Sequence, residues 1–245
     1  MMNQISNIRI SFQNLLIDYA HSKISFLWIP VSFTILVLAK SFFLGDIMGM
    51  DNEYILYLCI GLWVWNYISI AVPFYGDSLF NNHLLLNINM EPKDILFILH
   101  IRLLITFLLN LAILFIFIQF FMIQFNFGAF ILSCLLLILL VHQIGKILSI
   151  ISFYFRDLTQ LINNMMVVLF FLSPIFWYPE QLSKSKMIYI QLNPVFHILT
   201  IFRDAIVYGE YNILGFQVVM VLLVSAYLIN LIFTNKVIKN CATKI

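Results

Sequence analysis

The chain has 245 residues, 63% of them apolar and only 10% charged, with a formal net charge of +2 and a mean hydropathy of +1.01. A soluble domain carries about 25% charged residues, so this chain lacks the polar groups to cover a water-facing surface, and a soluble enzyme and a disordered chain are both excluded. Its 13 Lys and Arg form no basic block, so nucleic acid is not an expected partner.

In chain order, residues 1–23 come first. Ile5, Ile8, Phe12, Leu15, Leu16 and Tyr19 recur at helical spacing, while Asn7, Arg9, Gln13, Asn14 and Asp18 fill the other face. That pattern predicts an amphipathic helix lying in the membrane interface. A crossing helix needs about 20 mostly apolar residues, and six segments meet or approach that length: 24–44, 54–75, 95–122, 127–155, 161–178 and 213–233. Between the last two, 187–202 is apolar but broken by Asn193-Pro194, and neither half can cross. It reads as a re-entrant or interfacial pair of short helices, because proline removes a donor and resists helix continuation.

Six crossings place both termini on one side, and the basic residues indicate which. With the N-terminus cytoplasmic, Arg9, Lys23, Lys93, Arg102, Lys146, Arg156, Lys236, Lys239 and Lys244 collect at inner ends. Only Lys184, Lys186 and Arg203 lie outside, all in one loop. Both termini are therefore expected in the cytoplasm.

Few residues carry recognisable chemistry. The sequence has no GxxxxGK[ST], HExxH or GxSxG pattern, and Cys59, Cys134 and Cys241 are far apart. The histidines (His21, His83, His100, His142 and His197) lie in five separate segments, so no shared metal site is expected. No catalytic, cofactor or metal residue is assigned. The span centres hold no Asp or Glu, which argues against a proton-coupled transporter. Energy for transport must then come from a partner or an ion gradient. His142, Gln143 and Lys146 share one helix face; Lys146 either snorkels to the surface or marks a functional site. The stretch 77–94, DSLFNNHLLLNINMEPKD, is too polar to cross, yet Leu84, Leu85, Leu86, Ile88 and Met90 form an apolar patch suited to docking.

In this order, the N-terminal amphipathic helix, six spans, Tyr-Phe-Arg-Asp-Leu (154–158), Leu-Ser-Pro-Ile-Phe-Trp-Tyr-Pro (172–179) and Leu-Asn-Pro (192–194) resemble the permease subunit of ABC-2 type exporters. The likeness is nearest to the polysaccharide branch, which exports O-antigen, capsule and teichoic-acid chains. It implies an all-α membrane protein, with residues 1–23 as a cytoplasmic gate helix and 24–245 as a six-span permease domain. It implies a channel-forming subunit that moves a lipid-linked polysaccharide across the bacterial inner membrane. Its partners would be a second copy of itself, membrane lipid, and a separate ABC ATPase that holds the ATP and Mg²⁺. The same fold could instead move a lipid, drug or other small hydrophobic molecule. A membrane-embedded transferase is a third reading, resting on Asp77, His83, Glu91 and Asp94.

The resemblance also distributes roles. Segment 81–94 would be the coupling helix seated in the ATPase through Leu84, Leu85, Ile88, Met90, Pro92 and Lys93. Arg156 and Asp157 would sit at the cytoplasmic gate. Segment 180–209, turning at Asn193 and Pro194, would close the pore on the periplasmic side. Sugars present C–H faces that pack on aromatic rings, so Phe26, Trp28, Tyr57, Trp63 and Trp65 are candidate channel-lining residues. Ordinary packing and interfacial anchoring are the alternative for each of them.

Overall fold

A computed structural model of the chain describes residues 31–37, 39, 52–81, 92–120, 125–155 and 157–241. Among them every regular element is helical. Helices α1 (Asn52–Asn81), α2 (Pro92–Phe120), α3 (Phe127–Tyr154) and α7 (Ile213–Cys241) each contain a stretch long and apolar enough to cross a membrane. In hydrocarbon each backbone N–H needs a partner within its own segment, and a helix supplies it. Within the first expected span the described residues, 31–37 and 39, are helical, and Phe33 and Val37 are buried in the core. The gate helix 1–23, Phe26, Trp28, the coupling residues Leu84, Leu85, Ile88 and Met90, and Arg156 all lie outside the described residues.

Helix α1 is the axis of the bundle. Of its most apolar window 72% is buried, against 22% for α7 at the periphery. It packs on α2, α3 and α4 (Leu158–Leu172), and on α6 (Pro194–Arg203). At its middle Trp63 is 1% exposed, with Phe107, Phe202 and Phe130 around it at ring-centroid distances of 5.0, 5.3 and 6.3 Å. The tilted and edge-on geometries suit the ring quadrupoles.

The fifth expected span, 161–178, differs from what forms. Helix α4 ends at Leu172, and the fifteen residues of Leu158–Leu172 reach only about 22 Å at 1.5 Å per residue. The cause is Pro174: the residue before a proline is pushed out of the α region, and Ser173 is extended at φ −93° and ψ 142°. Residues 173–178 therefore leave the helix, and the carbonyls of 174–177 must find their donors outside the helical backbone ladder.

The segment that follows is broken as its sequence predicts. A 3₁₀ turn (Pro179–Gln181) leads into α5 (Lys184–Gln191), and α6 begins at Pro194. Proline suits the first position of a helix, where its missing N–H would have no partner anyway. A π-helical turn, Asp204–Tyr208, closes on Gly209 at φ +68°, the left-handed region that glycine enters without strain. Asn126 and Asn212 then cap α3 and α7, accepting from the Ala129 and Gly215 N–H at 3.0 and 2.6 Å.

Removing a fully enclosed aromatic leaves a cavity that the helices cannot close. Trp63→Ala is expected to cost about 3–5 kcal/mol, read as a lowered thermal midpoint in detergent. Ile232→Ala, on the exposed face of α7, should change it by less than about 0.5 kcal/mol.

Candidate functional site

Tyr54, Tyr57 and Gly61 recur every three or four residues on α1 and so share one face. That face meets the non-helical loop 173–178. The Tyr54 hydroxyl donates to the Phe176 carbonyl at 2.7 Å, and the Tyr57 hydroxyl lies 3.1 and 3.3 Å from the Trp177 and Pro174 carbonyls. Into the same space α6 delivers Arg203, which is 4% exposed. Its Nη1 donates to Pro174 O at 2.7 Å, and Nη2 to Ile175 O at 3.0 Å and to Tyr57 O at 3.4 Å. The guanidinium carbon stands 3.3 Å over the centroid of the Tyr57 ring. A cation over an aromatic face gains from the ring quadrupole, most of all when desolvated.

Arg203 is thus a buried cation whose partners among the described residues are carbonyl oxygens and a ring, not a carboxylate. Burial pulls its pKa down to about 10, an effect opposed by Tyr57 and its neighbours. It remains charged at neutral pH. The carbonyls it takes lie just beyond the C-terminal end of α4, where backbone acceptors are unpaired and the helix dipole is negative. Gly61 makes room: a Cβ there would stand 2.6 Å from Nη2 and 2.9 Å from Ile175 O.

Further ties gather at this end of the bundle. Asn193 accepts from Val195 N–H at 3.0 Å and donates to Ser173 Oγ at 2.9 Å, so the α5–α6 turn is fastened to the end of α4. The His197 Nε2 lies 2.7 Å from Gln191 O and holds the two short helices together. Asn126 donates from its backbone to Ala205 O at 2.8 Å and from Nδ2 to Gly209 O at 3.3 Å. Asp204 accepts from Asn212 Nδ2 at 2.6 Å; burial raises its pKa and this hydrogen bond opposes the rise. A cavity of about 640 Å³ lies between α4 and the short helices, with Phe171, Trp177, Lys186 and Tyr189 in its wall.

The candidate residues from the sequence are placed as follows. Tyr57 forms the floor of the arginine cradle. Trp63 is enclosed by rings and offers no surface in this arrangement. Trp65 packs on Phe170 at 5.6 Å and lines a cavity of about 490 Å³ with Phe33, Asn66, Ser69 and Met166. Leu36 and Val167, also in its wall, are exposed, so the cavity opens at the surface of the chain. Asn193 and Pro194 form the turn between α5 and α6. Asp157 is exposed at the start of α4. Pro92 and Lys93 begin α2.

Sequence reading missed two groupings. Arg203 and Asp204 look like an exposed charged pair, yet one enters the cradle and the other turns to Asn212. His100 and His142, far apart in sequence, meet at the opposite end of α1, both Nδ1 atoms 2.9 Å from the Tyr75 hydroxyl. The available hint for the first was a proline-bounded loop, whose carbonyls need donors from elsewhere.

Residues 7–207 match the family described as ABC-2 type transporter, and the chain belongs to that family. The match spans the cradle, the short helices and both cavities. No curated protein matches the chain. Family membership makes it a multi-pass membrane protein and the transmembrane subunit of an ABC exporter, in a family that usually pairs with an ABC ATPase subunit.

Hydrogen bonds to charged groups contribute about 1.5–3 kcal/mol each, so Arg203→Met should cost at least about 3 kcal/mol and raise hydrogen exchange over 173–179. Arg203→Lys, with one point charge for a planar fork, should recover only part of it. Gly61→Ala should cost about 1–3 kcal/mol by overpacking the same contact and should mimic the exchange pattern. Thermal unfolding with exchange mass spectrometry checks all three.

Proposed function

We propose that the chain forms the channel of an ATP-driven exporter that moves a lipid-linked polysaccharide across the bacterial inner membrane, working as a homodimer with two ATPase subunits. The cavity beside Trp65 is the observation that carries the substrate reading. Trp65, Phe170 and Phe33 offer flat apolar faces for sugar C–H groups, and Ser32, Asn66 and Ser69 offer hydrogen-bonding groups beside them. Such a wall binds a sugar weakly and repeatedly, which suits a chain that must slide. Leu36, Leu62, Met166 and Val167 make the rest of the wall apolar, which favours a second reading, a small hydrophobic substrate.

Support for a second copy comes from α4. Leu161, Met165, Val168 and Leu172 are exposed on it, and so are the amides Asn163 and Asn164. Polar amides facing lipid would be costly, so this face is assigned to a partner protomer and the passage between the two. The distribution of Lys and Arg supports cytoplasmic termini, with the arginine cradle and the α5–α6 turn as the outer closure and residues 1–23 as the inner gate. Segment 81–94 is assigned to coupling with the ATPase, and Arg156 with Asp157 to the cytoplasmic mouth.

Deleting the chain from its native host should remove a surface glycan and leave its lipid-linked form inside. Trp65→Ala should slow export severalfold while co-purification with the ATPase is retained. Intact surface glycan together with lost resistance to a hydrophobic compound would favour the second reading and sink the first.

Leu85→Asp combined with Ile88→Asp should leave membrane insertion intact but abolish ATPase co-purification and transport. Survival of both would remove the coupling assignment.

A further inference from the structure

Midway along α1, between the arginine cradle and Tyr75, three polar groups are buried without a hydrogen-bond partner among the described residues: the Trp63 indole N–H, the Tyr67 hydroxyl and the Asn110 carboxamide oxygen. None of these side chains is more than 3% exposed. Trp63 and Tyr67 are four residues apart on α1 and share a face. Both rings pack on Phe107 of α2, at centroid distances of 5.0 and 4.8 Å. Asn110 lies three residues beyond Phe107, on the same face of α2. Tyr75 meets His100 while Tyr67 meets Phe107, so the two helices run antiparallel. Asn110 is therefore displaced from Phe107 by about 4.5 Å toward the cradle end, in the direction of Trp63.

These groups share a need and do not meet it among themselves. An indole N–H only donates, an amide oxygen only accepts, and a tyrosine hydroxyl does both. Donors and an acceptor are thus present at one interface, yet none is bonded to another, and the Phe107 ring stands against both aromatic members. A polar group enclosed in an apolar interior is strongly disfavoured unless a partner reaches it. Nearly all such groups in folded proteins have one, from the protein or from ordered water. The partner here has to be small, because Phe202 and Phe130 close other sides of Trp63 at 5.3 and 6.3 Å. It has to accept from the indole and donate to the amide. Water meets both conditions, and buried waters typically make about three hydrogen bonds to groups that have no other partner.

We propose that the α1–α2 interface at Trp63, Tyr67 and Asn110 is a binding site for water, as a single molecule or a short chain. The water accepts from the Trp63 N–H and donates to Asn110 Oδ1, and the Tyr67 hydroxyl joins it as donor or acceptor. Water at this joint has a mechanical consequence. A direct hydrogen bond between the helices would fix their relative height, whereas a bridging water follows either partner at little cost. Helices α1 and α2 can then shift past one another without leaving a polar group bare in the interior. Such a joint serves either orientation of the chain in the membrane and any transported substrate.

The test uses the permease–ATPase complex in nanodiscs, with brief pulses of hydroxyl radical generated from water by X-rays and oxidation read by mass spectrometry. Radicals form wherever water is bound, so buried side chains beside ordered water are oxidised and equally buried dry ones are not. Rates are corrected for the intrinsic reactivity of each side chain. Trp63 and Tyr67 should be oxidised severalfold faster than Phe202, which packs on Trp63 and is fully buried. Asn110→Leu combined with Tyr67→Phe should lower the Trp63 rate severalfold, and Tyr67→Phe alone, which deletes one oxygen, should lower it by a smaller factor. A variant that merely loosened the packing would raise the rate instead. Phe202→Leu, which removes no polar group, should not lower it. Where the double variant fails to assemble with the ATPase, Tyr67→Phe alone decides. A Trp63 rate no faster than that of Phe202 overturns the proposal. So does a rate that the polar-group variants leave unchanged or raise, or that Phe202→Leu lowers as much as they do.

Discussion

A cation taken out of water must be satisfied by its surroundings, and Arg203 is the point at which that requirement shapes one end of this bundle. Its fork needs several oxygens in one plane, and a regular helix has none to spare in its interior. The oxygens come from 173–178, which Pro174 has already forced out of α4. Tyr57 gives a ring face below and Tyr54 fastens the loop from the side. Gly61 lets α1 approach. A short α4, a bent loop and a side-chain-free patch on α1 are therefore one solution to one constraint.

Helix α1 carries that solution through the bundle. Its N-terminal third binds the cradle, its middle is enclosed by the rings around Trp63, and its C-terminal third carries Tyr75 between two histidines. Polar contacts between helices occupy the two ends, and around Trp63 the contacts are ring on ring. Dispersion packing tolerates small sliding, whereas a hydrogen bond to a buried group is lost steeply with distance. Movement of α1 along its axis would accordingly register at both ends at once. Pro73 lies two residues before Tyr75 and removes one backbone donor from the helix, which makes this end its natural point of bending.

Hydropathy and proline were legible in the sequence, because they act locally. Four of the expected spans contain stretches that the described residues form as long apolar helices, and the break at Asn193-Pro194 falls between α5 and α6. The fifth expected span overran by six residues, since apolar composition continued past the point where Pro174 ended the helix. What remained hidden depends on which helices become neighbours. Arg203 next to Asp204 looks like a surface pair in one dimension, and only the arrival of the 173–178 carbonyls shows otherwise. Nothing in the spacing of His100 and His142 announces that α2 and α3 meet at Tyr75. Trp63 and Trp65 are two residues apart, yet one is enclosed by rings and the other borders a cavity, a difference set by the helices around α1.

The choice of carbonyls over a carboxylate also bears on how an outer closure could open. A buried ion pair, once separated, leaves two charges to be rehydrated, and breaking such a pair is strongly unfavourable. The Arg203 cradle separates into one cation and a set of neutral carbonyls. Water can take over each hydrogen bond between the guanidinium and a carbonyl, at a cost bounded by the about 1.5–3 kcal/mol that such a bond to a charged group contributes. The cation is the only group that must be strongly hydrated, and α6 ends at Arg203, beside the π turn that leads to Gly209. If the cradle closes the outer end, opening requires water to reach one guanidinium rather than the separation of opposite charges, and the same contacts can re-form when the water leaves.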